Sequence, residues 1–190
     1  FLRAIPFGSD GSFSWEDMSA RYTSELANDF GNLASRTIAM LDKYFAGNIP
    51  NTAQEPKLSS ALQQAVTKAD TAINTLDFQS AILEILEFCK LVNGYVTEKE
   101  PWILAKDPAN KQVLEEVLYN TAESIRALAV LLHPVMPHTT EILWESLGVT
   151  STLGEIGAQK ISNVAQWGQL PEGATITKTP VLFPRLETKA

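Results

Sequence analysis

The sequence predicts an all-α protein, an antiparallel helical bundle with short extended or loop segments at both ends. Apolar residues recur at helical spacing from about residue 14 to residue 148. Most of these periodic runs end at or just before a Gly or Pro, residues that stop helices. The composition, 45% hydrophobic and 19% charged, supplies a sizeable core and is too poor in charge for a disordered chain.

The first predicted helix is long, from about Trp15 to Phe45. Ser14 is a good N-cap, and acidic residues follow it in the first turn, where the helix dipole favours negative charge. Gly47 and Pro50 end the helix. At about 100° per residue its apolar side chains share one arc, namely Leu26, Phe30, Leu33, Thr37, Met40 and Leu41.

The same spacing predicts five further helices up to residue 148. Asp77 caps the second of these, and the pair Pro134 and Pro137 separates the last two. Gly148 is placed to act as a C-cap. The five cover approximately residues 58–75, 78–99, 102–106, 111–133 and 138–147.

Three segments follow from this pattern. Residues 1–13 form a short extended piece and a turn. Residues 14–148 form the helical domain. In residues 149–190 glycines recur and helical period is lost, so we expect loops, a short helix near Ile161 and an extended end.

Several classes of function find no support in the sequence. Gly-rich phosphate loops and metal-binding helix motifs are absent, and His133 and His138 lie on either side of a proline kink. The single cysteine, Cys89, lies in an apolar helical pattern, which indicates a buried thiol and fits a reducing cytoplasm. No apolar run approaches the roughly 18 residues of a membrane span, so we predict no membrane partner. We also predict no catalytic centre and no metal in this chain.

The net charge of −7 argues against a large nucleic-acid surface, because phosphate binding favours a basic one. It leaves room for a small local site, since base reading uses few side chains.

One face of the first helix carries side chains suited to reading bases. On a regular helical wheel Asn28 and Arg36 lie about 40° on either side of Asn32, with Ser35 about 60° away, opposite the apolar arc. Asn offers a donor with an acceptor, and Arg offers a planar fork of donors. The same pattern also fits the ordinary polar face of an amphipathic helix.

A second candidate is Trp102, directly after the helix-ending Pro101. A tryptophan held at such a corner can stack on a base, which is worth roughly 1–3 kcal/mol. It can equally plug the end of the bundle, as large aromatic residues often do.

Together these features resemble the C-terminal region of the methionyl-tRNA synthetases, a family of class I enzymes. The matching strings are IPFGSDGSFSWEDMSARYTSELANDFGNLASRT, YVTEKEPWILAKD, LLHPVMPHTTEILWESLG and VLFPRLE. The resemblance implies a helical module that recognises the anticodon CAU of tRNA(Met). It implies that Asn32 and Arg36 contact anticodon bases, that Trp102 stacks with Pro101 shaping its corner, and that Asn28 supports them.

The resemblance also implies a larger parent enzyme that ligates methionine to tRNA using ATP with Mg and, in many members, a structural Zn. Its catalytic signatures would precede Phe1, so the catalytic domain of the same polypeptide is an expected partner and this chain alone is expected to be inactive. The resemblance further implies that residues 1–13 are the end of the catalytic body or stem-contact segment and that residues 149–190 return toward that body. Two alternatives stay open. One is the equivalent domain of a valyl-, leucyl- or isoleucyl-tRNA synthetase, which share LLHPVMPHTTE more loosely. The other is a helical protein-interaction module without RNA binding.

Overall fold

A computed structural model describes residues 1–171 and 173–186, and over these residues it is a helical bundle. The predicted all-α fold is confirmed. Extended pairing in the described ranges is limited to one isolated bridge, between Asn48 and Thr175. Residues 187–190, the last part of the predicted C-terminal segment, lie outside the described residues.

The first long helix has the predicted extent but a different interior. It begins as α1 (Trp15–Arg21), continues as a π-helical segment (Tyr22–Gly31) and ends as α2 (Asn32–Phe45), with helical backbone angles at both junctions. The Ser14 hydroxyl caps it by accepting the Asp17 N–H. The regular α-helix expected here is therefore wrong for its middle ten residues.

The other five helices begin and end within two residues of their predicted bounds, and Asp77 caps the second of them as expected. They are α3 (Pro56–Asn74), α4 (Phe78–Lys99), α5 (Pro101–Leu104), α6 (Lys111–Leu132) and α7 (Pro137–Ser146). Short helices follow, α8 (Thr150–Leu153) and α9 (Ile161–Val164), with single 3₁₀ turns at Pro108–Asn110 and Ile156–Ala158.

Helix α6 is the centre of the bundle. From Val117 to Leu132 every residue on it is buried, and α2, α3, α4, α7 and α9 all pack against it. A helix that is buried on all sides must satisfy its polar side chains internally. Two buried polar groups of α6 do so by holding loops.

Asn120 holds the chain that leads into α3. Its side-chain oxygen accepts the Glu55 N–H at 2.8 Å, and its amide group donates to the Ala53 carbonyl at 3.0 Å. Because the side chain is 1% exposed, these bonds fix the entry to α3 without competition from water.

Glu123 holds the chain that follows α9. Its carboxylate accepts the backbone N–H groups of Gly168, Gln169 and Leu170 at 2.9, 3.1 and 3.0 Å. It also pairs with Arg126 through two bonds of 2.8 and 2.9 Å, and both side chains are at most 1% exposed. The carboxylate of this buried ion pair thus links the segment after residue 149 to the bundle core.

Apolar residues of this last segment enter the same core, among them Ile156, Val164, Leu170 and Ile176. The division of the chain at residues 13 and 148 stays a prediction. No described helix is long and apolar enough to cross a membrane.

Candidate nucleic-acid interface

The structure brings two of the predicted site residues into contact. The guanidinium carbon of Arg36 lies 5.1 Å from the centre of the Trp102 ring. Such a cation–π contact is worth roughly 0.5–1 kcal/mol at an exposed site. Arg36 is exposed and Trp102 is half-buried, so both keep surface available to a ligand.

The corner that presents Trp102 forms for local reasons. Glu100 ends α4 in the left-handed conformation, with φ of 46°. Pro101 then opens α5 at a position where its missing N–H costs nothing, and its ring is buried. Trp102 packs partly against the core, as the bundle-plug interpretation predicts, and its role as a stacking platform stays a prediction.

Asn28 and Asn32 line a groove instead of facing Trp102. The groove lies between the first helix and residues 181–186, and its volume is about 620 Å³. Ser35 lines it as well, whereas Arg36 turns towards Trp102. Because Asn32 and Arg36 are one turn apart on α2, the groove and the Trp102 corner are adjacent parts of one surface.

The π-helical segment changes the position of Asn28 relative to the regular wheel. An α-helix advances about 100° per residue and places Asn28 about 40° to one side of Asn32. A π-helix, with its i→i+5 bonds, advances roughly 80° per residue and places Asn28 about 30° to the other side. The regular wheel used for the prediction therefore does not describe the segment that carries Asn28, although Asn28 and Asn32 are both exposed.

The charges around the groove bear on whether a chain with a net charge of −7 can bind a nucleic acid there. The described residues that line the groove include Arg185 and no carboxylate. On the same helix Glu25 faces away and pairs with Arg3 at 3.3 Å. Burial raises the pKa of the Asp29 carboxyl, and Lys90 opposes that rise. The described lining of the groove therefore carries none of the chain's excess negative charge.

The C-terminal segment forms the second wall of this groove, which the sequence analysis did not predict. Phe183 packs on the rings of Tyr22 and Phe30, with centroids 6.0 and 6.1 Å away. The Tyr22 hydroxyl donates to the Pro184 carbonyl at 2.8 Å. A Cβ at Gly31 would lie 2.8 Å from the Phe183 ring, so this glycine permits the close approach. The isolated aromatic residue in VLFPRLE is the signal that could have indicated it.

No cluster of His, Cys, Asp or Glu able to hold a metal ion occurs among residues 1–171 and 173–186. Cys89 is fully buried as predicted, and burial raises its pKa to about 12.

Two family models match the chain. The family described as the anticodon-binding domain of tRNA ligase matches residues 56–178. The chain belongs to this family. A second model, for class I tRNA synthetases of the M type, matches residues 1–38, which include Asn28, Asn32 and Arg36.

Curated relatives and solved structures point the same way. The chain is 56% identical over its whole length to a methionine–tRNA ligase of Streptomyces coelicolor and 38% identical to that of Bacillus subtilis. A crystal structure of the apo Mycobacterium tuberculosis methionyl-tRNA synthetase superposes on 98% of the chain with a TM-score of 0.85 at 28% identity. The similarity to methionyl-tRNA synthetases expected from the four sequence strings is confirmed.

The match covers only part of each relative. The chain spans 36% of the Streptomyces protein, 28% of the Bacillus protein and 38% of the Mycobacterium chain. The relatives are ligases, and this chain corresponds to about a third of them.

Proposed function

We propose that the chain reads the CAU anticodon of tRNA(Met) as part of a methionine–tRNA ligase. The observation that carries the proposal is the contact between Arg36 and Trp102 beside the exposed amide of Asn32. It combines donors and an acceptor for base edges with a ring on which an unstacked base can lie.

In this proposal Asn32 and Arg36 hydrogen-bond to base edges and Trp102 stacks, with Pro101 holding the corner and Asn28 extending the polar surface. The contact between Arg36 and Trp102 restricts both side chains before RNA arrives. Ordering a flexible side chain on binding costs about 0.5–1.5 kcal/mol, so prior restriction favours association. An incorrect base leaves donors or acceptors unpaired, which is the basis of rejection.

We further propose that the intact cytoplasmic protein ligates methionine to this tRNA using ATP. A crystal structure of the Mycobacterium relative holds methionyl-adenylate, the activated form of the amino acid. The residues that handle ATP, Mg and any structural Zn would lie in the catalytic domain of the same polypeptide. In this scheme the long first helix joins that domain to the anticodon surface.

A surface for that catalytic domain is available near the amino end. Phe1, Phe13 and Trp15 form a chain of ring contacts, with centroids 5.7 and 4.8 Å apart. All three side chains are 48–79% exposed. A contiguous exposed apolar patch of this kind is typical of a surface that contacts another domain.

The test is a fluorescence titration of the chain with an anticodon stem-loop carrying CAU and with one whose first anticodon base is changed. We expect clear preference for CAU, and Arg36→Ala and Trp102→Ala should each weaken CAU binding about tenfold or more. The matched controls are Arg21→Ala and Trp15→Ala, which remove the same groups from the amino end of the helix. They should leave binding unchanged.

Equal affinities of the wild-type chain for the two stem-loops would refute CAU reading. Tighter binding to the stem-loop of a valine, leucine or isoleucine tRNA would assign the domain to another synthetase. No binding at any moderate salt would indicate a protein-interaction module.

A further inference from the structure

A polar side chain of α4 reaches across to the π-helical segment. The Asn93 amide nitrogen donates to the Asp29 backbone carbonyl at 3.2 Å and to the Cys89 carbonyl of its own helix at 3.2 Å. One amide group with two hydrogens therefore links the two helices. Asn93 is half-buried, so the bond to Asp29 is partly shielded from water.

The Asp29 carbonyl lies where the helix changes from π to α. The Asn32 N–H is bonded to the carbonyls of Ala27 and Asp29, and α2 begins at Asn32. The Asn93 amide and the Asn32 N–H thus share one acceptor. Anything that moves this carbonyl also moves the backbone of a residue proposed to contact a base.

The bond opposes a change of register. If the segment relaxed to a regular α-helix, Asn28 would rotate by roughly 70° relative to Asn32, from one side of it to the other. The Asp29 carbonyl would rotate with it and leave the Asn93 amide. On the opposite face, Gly31 packs against Phe183, so the segment is held from two sides.

We propose that Asn93 is a positioning residue for anticodon reading, because it holds the π-helical register from which Asn28 and Asn32 project. The inference rests on the proposed function. Asn93 lines neither the groove nor the Trp102 contact. It acts through its bond to the Asp29 carbonyl.

The deciding substitution is Asn93→Asp, which keeps the size of the side chain and removes its donor hydrogens. A carboxylate oxygen cannot bond to a carbonyl oxygen, so the link to Asp29 is lost. Asn74→Asp is the matched control. It adds the same charge to an exposed helical site, where Asn74 bonds only to Asp70 among the described residues. The control also repels Asp70 at i,i+4 and so includes a modest loss of stability.

The measurement is the ratio of affinities for CAU and changed-base stem-loops, taken at a temperature where circular dichroism shows every variant fully folded. We expect the ratio to fall about tenfold in Asn93→Asp and in Asn93→Ala, and to stay at the wild-type value in Asn74→Asp. A residue that served only to stabilise the fold would leave this ratio unchanged in a folded protein.

If Asn93→Asp has the same affinity ratio as the wild-type chain, the positioning role is overturned and the proposed function still stands. Loss of helix content in both Asn93 variants also overturns it, because the role is then structural. A wild-type ratio of one overturns the proposed function and this inference with it.

Discussion

Replacing Glu123 by Gln should lower the free energy of unfolding far more than the same replacement at an exposed glutamate. The substitution keeps the shape of the side chain and removes the charge that balances Arg126, which is 1% exposed. Breaking a buried ion pair by removing one partner costs about 3–5 kcal/mol, because the remaining charge stays in a medium that solvates it poorly.

The hydrogen bonds to Glu123 support the upper part of that range. Its two oxygens accept five N–H donors, two from Arg126 and three from the backbone at residues 168–170. A glutamine amide has one oxygen, and its NH₂ group would face donors at the other position. At least two donors would then be buried without an acceptor, and each costs about 1–3 kcal/mol.

The assay is urea unfolding of the two proteins followed by far-UV circular dichroism, with Glu98→Gln as the matched control. Glu98 pairs with Lys57 at 3.7 Å, and both side chains are at least 60% exposed. Such a pair contributes about 0–1 kcal/mol. A loss below about 1 kcal/mol for Glu123→Gln, or a loss equal to that of the control, would refute the reasoning.

The remaining predictions concern two glycines, the Cys89 thiol and the contact between Arg36 and Trp102. Gly31→Ala should lower the free energy of unfolding by roughly 1–2 kcal/mol, since its Cβ would meet a phenylalanine ring at 2.8 Å. Gly94→Ala has nothing within 4 Å of its Cβ and should raise that free energy by about 0.5–1 kcal/mol in the same urea assay. The thiol of Cys89, with its pKa raised by burial to about 12, should react with a thiol reagent only after denaturant is added. Because the unfolded thiol ionises near 9.0, stability should be lost as pH rises from that value towards 12, and Cys89→Ala should have a shallower pH profile. Arg36→Ala and Trp102→Ala should show a coupling of roughly 0.5–1 kcal/mol in a double-mutant cycle of unfolding, and additive losses would contradict the cation–π contact.

Helix bounds could be predicted because they depend on local signals. Apolar spacing, the N-caps Ser14 and Asp77 and the stops at Gly and Pro act within a few residues of the bounds they set. The π-helical segment could not be predicted in this way, since YTSELANDFG has ordinary helical composition. Its register depends on partners distant in sequence, Asn93 on one side and Phe183 on the other.

In the candidate site, too, features of a single helix could be predicted and contacts between helices could not. The exposure of Asn28, Asn32 and Arg36 followed from the apolar arc opposite them, which a single helix is enough to define. The contact between Arg36 and Trp102 joins two helices that only the packed bundle brings together. Their roles in RNA binding stay predictions until the titrations are made.

The central position of α6 has a consequence for how the chain is made. A ribosome delivers α1 to α4 before it reaches Lys111. Helices α3 and α4 can then pack on each other, but the central helix that buries the rest of their apolar surface and that of α2 is still missing. Nascent chains arrested before residue 111 should therefore be open to proteases and to chaperones. Chains long enough for Leu170 to have left the tunnel should resist digestion, because only then are both the central helix and the segment bonded to Glu123 present outside it.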